Sequence, residues 1–294
     1  MEGKRVLVLG ASGMLGHMLV RVISENHTLF GTTLSSYSET SPLVRILPRE
    51  NWFDTVNACT IAAVERIISD VEPDVVLNGV GLIKQKMTPN VNSHAIQINS
   101  LFPHQLLEIC RKTDTRLIHF STDCVFEGTP GVKHLTDTPT ATDIYGLSKL
   151  LGEVKDSPAL TLRTSVVGRQ LFGAESLFEW AISQRGKTVN GFKNAIYTGL
   201  TTLELSHVVK RIIEEQPQLV GIFQVASKPI SKFELLTKLN VSLNLGLTIE
   251  PDTDFYCDRT LDGSEFSGLT NIEIPSWDNM LIKFLADQDF YENI

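Results

Sequence analysis

Along this chain, short continuous apolar runs alternate with stretches in which apolar residues recur every three or four positions. Val6-Leu7-Val8-Leu9 is a run of the first kind and predicts a strand over Arg5 to Leu9, buried on both faces. Met14 to Ser24 has the second pattern and predicts an amphipathic helix. Further strands are expected at His27 to Leu34, Val75 to Asn78, Leu117 to Ser121 and Leu160 to Thr164. Helices are expected at Ile61 to Ser69, Ser93 to Thr113 and Tyr145 to Val154. Such alternation implies an α/β fold: a doubly wound parallel sheet covered by helices on both faces. The second half is less regular, with helices expected at Leu177 to Arg185, Leu203 to Glu215, Lys232 to Leu239 and Trp277 to Ala286. The loops between them are expected to build a smaller C-terminal lobe.

The turn after the first strand reads Gly10-Ala11-Ser12-Gly13-Met14-Leu15-Gly16. In such a turn the first glycine permits the tight bend, the second leaves room for a pyrophosphate, and the third lets helix lie against strand. The helix then offers its positive end to the phosphates. This predicts a Rossmann-type, NAD(P)-binding domain over 1–165, with a substrate-binding lobe over 166–294 that is interleaved with it and does not fold alone. A carboxylate that binds the ribose diol is expected about 20 residues beyond the glycines. Thr32, Thr33, Ser35 and Ser36 stand there instead, and the next acid is Glu39. That favours NADP(H) and leaves NAD(H) open. Asp54 and Thr55 are candidates to flank the adenine. Arg45 is a weaker candidate for the 2′-phosphate than for an ordinary surface residue.

A second motif, Tyr145-Gly146-Leu147-Ser148-Lys149, follows Ser121-Thr122-Asp123. Tyr145 and Lys149 are four apart, so a helix puts both on one face. A free tyrosine titrates near ~10, too high for efficient proton transfer at neutral pH. A nearby ammonium favours the phenolate, and Lys149 can also bond the nicotinamide ribose. Thr122 offers a hydroxyl to a carbonyl oxygen. Ligands of open α/β sheets bind at the carboxyl ends of the strands, where Gly10, Asn78, Thr122 and Thr164 all fall. The expected chemistry is hydride transfer to a carbonyl carbon, with Tyr145 protonating its oxygen.

The chain has 294 residues, 42% hydrophobic, enough for one large core with a subordinate lobe. A net charge of −8 argues against nucleic acid, whose phosphates call for a basic face. Cys59, Cys110, Cys124 and Cys257 lack metal spacing, as do the seven histidines, so no metal site is expected. Absence of a signal peptide or membrane-length apolar run predicts a cytoplasmic protein without membrane attachment. His119, inside an apolar strand, is expected to be packed and bonded. Trp180 and Trp277 are expected in the core.

At these motifs the chain resembles an extended short-chain dehydrogenase/reductase, and within that superfamily the dTDP-4-dehydrorhamnose reductases. The resembling stretches include Pro73 to Asn78, Ile98-Asn99, Ser121 to Gly128, Tyr145 to Glu153, Leu162 to Ser165, Gly221 to Ser227 and Pro275-Ser276-Trp277. The resemblance implies reduction of a nucleotide-linked 4-keto-6-deoxy sugar, in deoxysugar and surface glycan synthesis, with Thr122, Tyr145 and Lys149 as catalytic trio. It implies that Gly10, Ser12, Gly13, Met14, Leu15, Gly16, Asn78, Gly79, Val80, Asn99 and Thr164 line the cofactor, with Asn99 supporting Lys149. Asp123, Cys124, Thr198 and Arg259 would face the sugar nucleotide. Lys84 is a candidate for a phosphate or sugar carbonyl, Arg169 and Lys193 for the diphosphate or nucleotide. Thr202 is also an expected N-cap.

The chain departs from the family at Cys124, where a tyrosine is usual, at Val166, where a tryptophan is common, and over Gly79 to Lys86. All three lie near the expected sugar pocket and leave the sugar and base open. A nucleotide-sugar epimerase on the same fold and a non-catalytic NADP-binding regulatory subunit are the competing readings. A dehydratase is disfavoured, since no glutamate adjoins Thr122-Asp123. By analogy, the resemblance also offers a homodimer through the helices expected at 93–113 and 145–154.

Overall fold

The computed structural model describes residues 3–292. Its main sheet has seven strands: β1 (Arg5–Leu9), β2 (Thr28–Thr32), β3 (Trp52–Phe53), β4 (Val75–Asn78), β5 (Arg116–Phe120), β6 (Ala159–Arg163) and a later strand, Gly221–Gln224. The order runs from that later strand through β6, β5, β4, β1 and β2 to β3. Every pairing from β3 across to β6 is parallel. From β1 the chain moves outward to β2 and β3, then returns to the other side of β1 for β4, β5 and β6. Beside β1 is therefore the switch point at which α/β sheets open a crevice. Apolar runs fit this topology, because a parallel strand covered on both faces has no side to give to water. Val6, Leu7, Val8, Val76 and Leu77 are fully buried.

The helices of this half are α1 (Gly16–Ile23), α2 (Ile61–Val71), α3 (Asn92–Ala95), α4 (Phe102–Lys112) and α5 (Ile144–Leu151). The apolar faces of α2 and α4 meet β1, β4 and β5 in one core of Leu7, Leu9, Ile68, Val76, Phe102, Leu106 and Leu117. The unbroken helix expected over 93–113 is in fact α3 and α4 joined by a π-helical turn, Ile96–Leu101. Its cause is legible in the chemistry. Pro103 has no N–H for the carbonyl of Asn99, four residues back, and its ring crowds that carbonyl. The helix widens there, and Phe102 bonds back to Gln97 instead. α5 ends earlier than the expected Val154. Gly152 lies so close to the backbone of Asn99 that any Cβ would overlap the Asn99 carbonyl oxygen.

The described residues form two compact units. One holds everything up to Ser121, Asp143–Leu162 and Ser206–Ile222; the other holds Thr122–Thr142, Arg163–Leu205 and the chain from Phe223 on. The second unit contains β7 (Val166–Val167), α6 (Leu177–Ser183), β8 (Thr188–Tyr197) and β9 (Leu200–Thr201). Helix α7 (Thr202–Glu215) and strand β10 (Gly221–Gln224), the seventh strand of the main sheet, have residues in both units. The second unit continues with β11 (Ile230–Ser231), α8 (Lys232–Ser242), β12 (Thr248–Arg259), α9 (Ser264–Thr270), α10 (Trp277–Ala286) and α11 (Gln288–Glu292). β8 and β12 pair in parallel over most of their length, where loops were expected. Trp277 is buried as expected, but Trp180 is 37% exposed. The cap of α7 is one residue earlier than expected: Thr201 Oγ1 accepts the Glu204 N–H at 3.2 Å. Among the described residues no helix is long and apolar enough to cross a membrane.

Candidate active site

The glycine turn is built from the end of β1. Gly10 has φ +81°, a conformation that costs glycine little. Its N–H donates to Thr32 Oγ1 at 3.2 Å, and the Ala11 N–H to the Thr32 carbonyl at 2.8 Å, so β2 fixes the turn. Gly13 folds back onto the Gly10 carbonyl at 3.0 Å. A side chain at Gly16 would overlap that same carbonyl. α1 therefore starts hard against the strand, with Leu15 at the cap position making no side-chain cap hydrogen bond and no acid in the first turn. The positive end of the helix dipole there fits an anion. The cradle fits a dinucleotide's pyrophosphate at Ser12 to Leu15.

The end of β2 is similarly organised. Thr33 Oγ1 accepts the Trp52 indole N–H at 2.8 Å and donates to the Ser35 carbonyl at 2.9 Å. Asp54 accepts the Tyr37 N–H at 2.8 Å and faces Arg49 at 3.5 Å, while that guanidinium lies over the Tyr37 ring at 4.6 Å. The Tyr37 amide, assisted by Arg49, holds the Asp54 carboxyl below its ordinary value. Thr55 follows with φ +55°. Arg49, rather than Arg45, is thus the arginine of this corner, and neither its stacking nor its pairing has a signature in local sequence.

Asn78 ends β4 and is buried. Its Nδ2 donates to His119 Nδ1 at 3.0 Å, and its Oδ1 accepts the Val80 N–H at 3.2 Å, which fixes Gly79 and Val80. His119 is held neutral, mainly by burial and then by Lys149. It is the packed, bonded histidine that the sequence predicts. Asn99, carried on the π turn, clamps the next loop. Its Oδ1 accepts the Leu82 N–H at 2.8 Å, and its Nδ2 donates to the Leu82 carbonyl and to Ser148 Oγ, each at 3.1 Å. Ser100 Oγ donates to the Ser148 carbonyl at 2.8 Å.

α5 starts at Asp143, whose carboxylate accepts the Gly146 N–H at 2.8 Å and the Lys84 ammonium at 2.6 Å. Lys84 is thereby tied to the start of the helix that carries Tyr145. Tyr145 is half-buried, and one turn further Lys149 is 6% exposed. The Lys149 ammonium donates to the Phe120 carbonyl at 2.7 Å. Burial pulls its pKa from 10.5 down to about 8, against the opposing pull of Glu153. A Cβ on Gly81 would stand 3.4 Å from Asn99 Oδ1 and 4.0 Å from Lys149 Nζ, so the clamped loop walls this corner. Four residues beyond Lys149 and just past the end of α5, Glu153 accepts a hydrogen bond from Ser121 Oγ at 2.6 Å. Sequence reasoning gave Glu153 and Ser121 no role, although the helix expected over Tyr145 to Val154 would have put Tyr145, Lys149 and Glu153 on one face.

In the second unit, Thr122 Oγ1 donates to Asp123 Oδ1 at 3.2 Å and accepts the Cys124 N–H at 3.1 Å. Asp123 is buried, and burial pushes its carboxyl up while Arg259 and the side chains of Cys124 and Thr122 hold it back. Arg259 Nε donates to the Phe126 carbonyl at 3.3 Å. This group brings together Thr122, Asp123, Cys124 and Arg259. Thr198 is buried and accepts the Leu261 N–H at 3.0 Å, and Thr164 Oγ1 donates to the Ser165 carbonyl at 3.4 Å. Arg169 is committed to Glu179 at 2.6 Å and Gln288 at 2.7 Å, and Lys193 lies over the Phe233 ring at 5.3 Å.

The sheet order, the glycine turn at its switch point and the Tyr-Lys helix define a Rossmann-type α/β protein of the short-chain dehydrogenase kind. Residues 4–188 match the RmlD substrate binding domain family, and the chain belongs to it. It is 27% identical over 188 residues to a dTDP-4-dehydrorhamnose reductase of Burkholderia thailandensis, covering 62% of this chain and 52% of that protein. It is 28% identical over 273 residues to methionine adenosyltransferase 2 subunit beta of Xenopus tropicalis, covering 86% of this chain and 76% of that one. The match spans about half the length of the reductase relative. Among solved structures, dTDP-4-dehydrorhamnose reductase from Bacillus anthracis in complex with NADP superimposes with a TM-score of 0.78 at 18% identity, covering 97% of this chain and 99% of that one.

Proposed function

We propose that this chain reduces the 4-keto group of a nucleotide-linked 4-keto-6-deoxy sugar with NADPH. The observation that carries the reading is the Lys149 ammonium, buried, bonded to Phe120 and one helical turn from Tyr145, in the same unit as an uncapped glycine turn. When bound, the dinucleotide supplies hydride. Gly10 to Gly16 would hold its pyrophosphate, Asp54 and Thr55 would flank its adenosine, and Asn78, Gly79, Val80 and Asn99 would line its other end. Lys149 would keep two donors for the ribose, having given one to Phe120. Its charge favours the phenolate of Tyr145, which lowers the barrier to moving the phenol proton to the nascent alkoxide. Thr122 would hydrogen-bond the same oxygen, with Asp123, Cys124, Thr198 and Arg259 toward the sugar nucleotide.

Preference for NADPH is supported by the lack of any acid from Thr28 to Ser38, by the engagement of Asp54 with Tyr37 and Arg49, and by NADP in the Bacillus anthracis structure. The test is NADPH oxidation against dTDP-, UDP- and GDP-linked 4-keto-6-deoxy sugars. One donor should be consumed, and Tyr145→Phe should cut its rate by about 10²–10⁴-fold. A second reading is a regulatory subunit that binds NADP without turnover. The long match to methionine adenosyltransferase 2 subunit beta favours it. Tight NADPH binding with no consumption of any donor would decide for that reading.

A further inference from the structure

We propose that Glu153 is a positioning residue of this site: from just past the end of α5 it holds Ser121, at the strand end leading into Thr122, and supplies the counter-charge that keeps Lys149 an ammonium. This rests on the reductase reading. Lys149, in the last turn of α5, and Glu153, two residues past its end, grip consecutive residues of the same strand end. Lys149 donates to the Phe120 carbonyl at 2.7 Å, and Glu153 accepts from Ser121 Oγ at 2.6 Å. The next residue in the chain is Thr122. The last turn of α5 and the chain leaving it are thus each tied to the strand end, so a shift of one residue along it would break both contacts.

The surroundings of the ammonium set its charge. On α5, Tyr145 lies a turn before Lys149, and Glu153 follows just past the end of the helix. From β5 comes His119, held neutral by burial, with His104 of α4 acting on it in turn. The π turn and the loop after β4 contribute the uncharged Asn99 and Gly81. Glu153 is therefore the anionic group whose field opposes the desolvation of Lys149. Without it, burial acts unopposed and the lysine loses its proton at lower pH. A neutral lysine no longer favours the Tyr145 phenolate. Ser121 has a further part, because its hydroxyl keeps the Glu153 carboxylate turned toward the strand instead of toward water.

The decisive experiment follows the Lys149 ¹³Cε resonance against pH in cofactor-free, lysine-labelled protein, assigned by its loss in Lys149→Met. Wild type should titrate with a midpoint of about 8. Glu153→Gln should lower that midpoint by roughly one pH unit, the scale of a nearby opposite charge. Glu153→Asp, which keeps the charge, should restore most of it. Ser121→Ala should move the midpoint the same way by less, and serves if Glu153→Gln does not fold. In turnover, the alkaline limb of kcat/KM should move with the midpoint, whereas a purely structural loss would lower the rate evenly at all pH. A midpoint unmoved in every variant overturns the proposal and leaves the reductase reading standing. A midpoint that moves in a protein that consumes no sugar donor upholds the Glu153 coupling and overturns the reductase reading instead.

Discussion

Lys149→Met should abolish reduction and, at the same time, remove a pH dependence from stability. The wild-type lysine titrates at about 8 when folded, against about 10.4 in an unfolded chain. A folded pKa below the unfolded one means that the ammonium destabilises the fold while it remains charged. Below pH 8 the full cost is present, because both states hold the proton. Between about 8 and 10.5 the unfolded chain binds more protons, so stability rises with pH. The size is up to about 3 kcal/mol, from 10.5 to about 8 at 1.36 kcal/mol per pH unit. Methionine cannot titrate, so the variant lacks the rise. It also orphans the Phe120 carbonyl, a loss of about 1–3 kcal/mol at every pH. Near neutrality these two effects oppose each other and the variant should melt close to wild type. By pH 10.5 wild type should be ahead by several degrees. Calorimetric scans of both proteins across this range check it, since titrations elsewhere cancel in the difference. Equal pH slopes would mean that Lys149 is not held as described.

Gly16→Ala should unfold the dinucleotide cradle, whereas Gly13→Ala should spare the fold and weaken NADPH alone. Helix propensity by itself favours alanine at Gly16 by about 1 kcal/mol. The new Cβ, however, would overlap the Gly10 carbonyl oxygen and crowd the Ala11 backbone. Neither neighbour is a flexible side-chain end, so strand and helix must separate, at a cost of about 1–3 kcal/mol or more. The clash wins. At Gly13 a Cβ would meet only the Gly10 oxygen, at 3.2 Å, which a small shift relieves. The reduced entropy of the unfolded chain offsets that strain by about 0.4–1 kcal/mol. The methyl group would then stand where the pyrophosphate is expected. Denaturation midpoints together with NADPH titration separate the two variants. Equal NADPH affinity in Gly13→Ala and wild type would remove the pyrophosphate from this turn.

How far the site was legible depends on whether its chemistry is local. The glycine turn is local, since strand, bend and helix lie within a dozen residues and each glycine has a steric reason. Tyr145 and Lys149 are local too, as helical spacing alone places them on one face. The interruption of the helix at Ile96–Leu101 could have been read from Pro103, whose missing N–H frees the Asn99 carbonyl. β8 and β12 were not legible. Thr188–Tyr197 holds Asn190, Gly191, Lys193 and Asn194, and Thr248–Arg259 holds Pro251, Asp252, Asp254 and Asp258, all poor strand formers. β12 tolerates proline because it is an edge strand of its three-stranded sheet.

The sequence by itself determined the α/β alternation, the cradle at the end of β1 and the Tyr-Lys helix face, because each depends on periodicity or on sterics between near neighbours. The tertiary structure alone decided which charges are engaged. It tied Lys84 to Asp143, joined Arg49 to Tyr37 and Asp54, and committed Arg169 to Glu179. It also set the Lys149 pKa, through burial under β5 and the loop after β4. Such pairings join residues far apart in the chain, and desolvation depends on everything packed around a group, so neither is written in the local pattern.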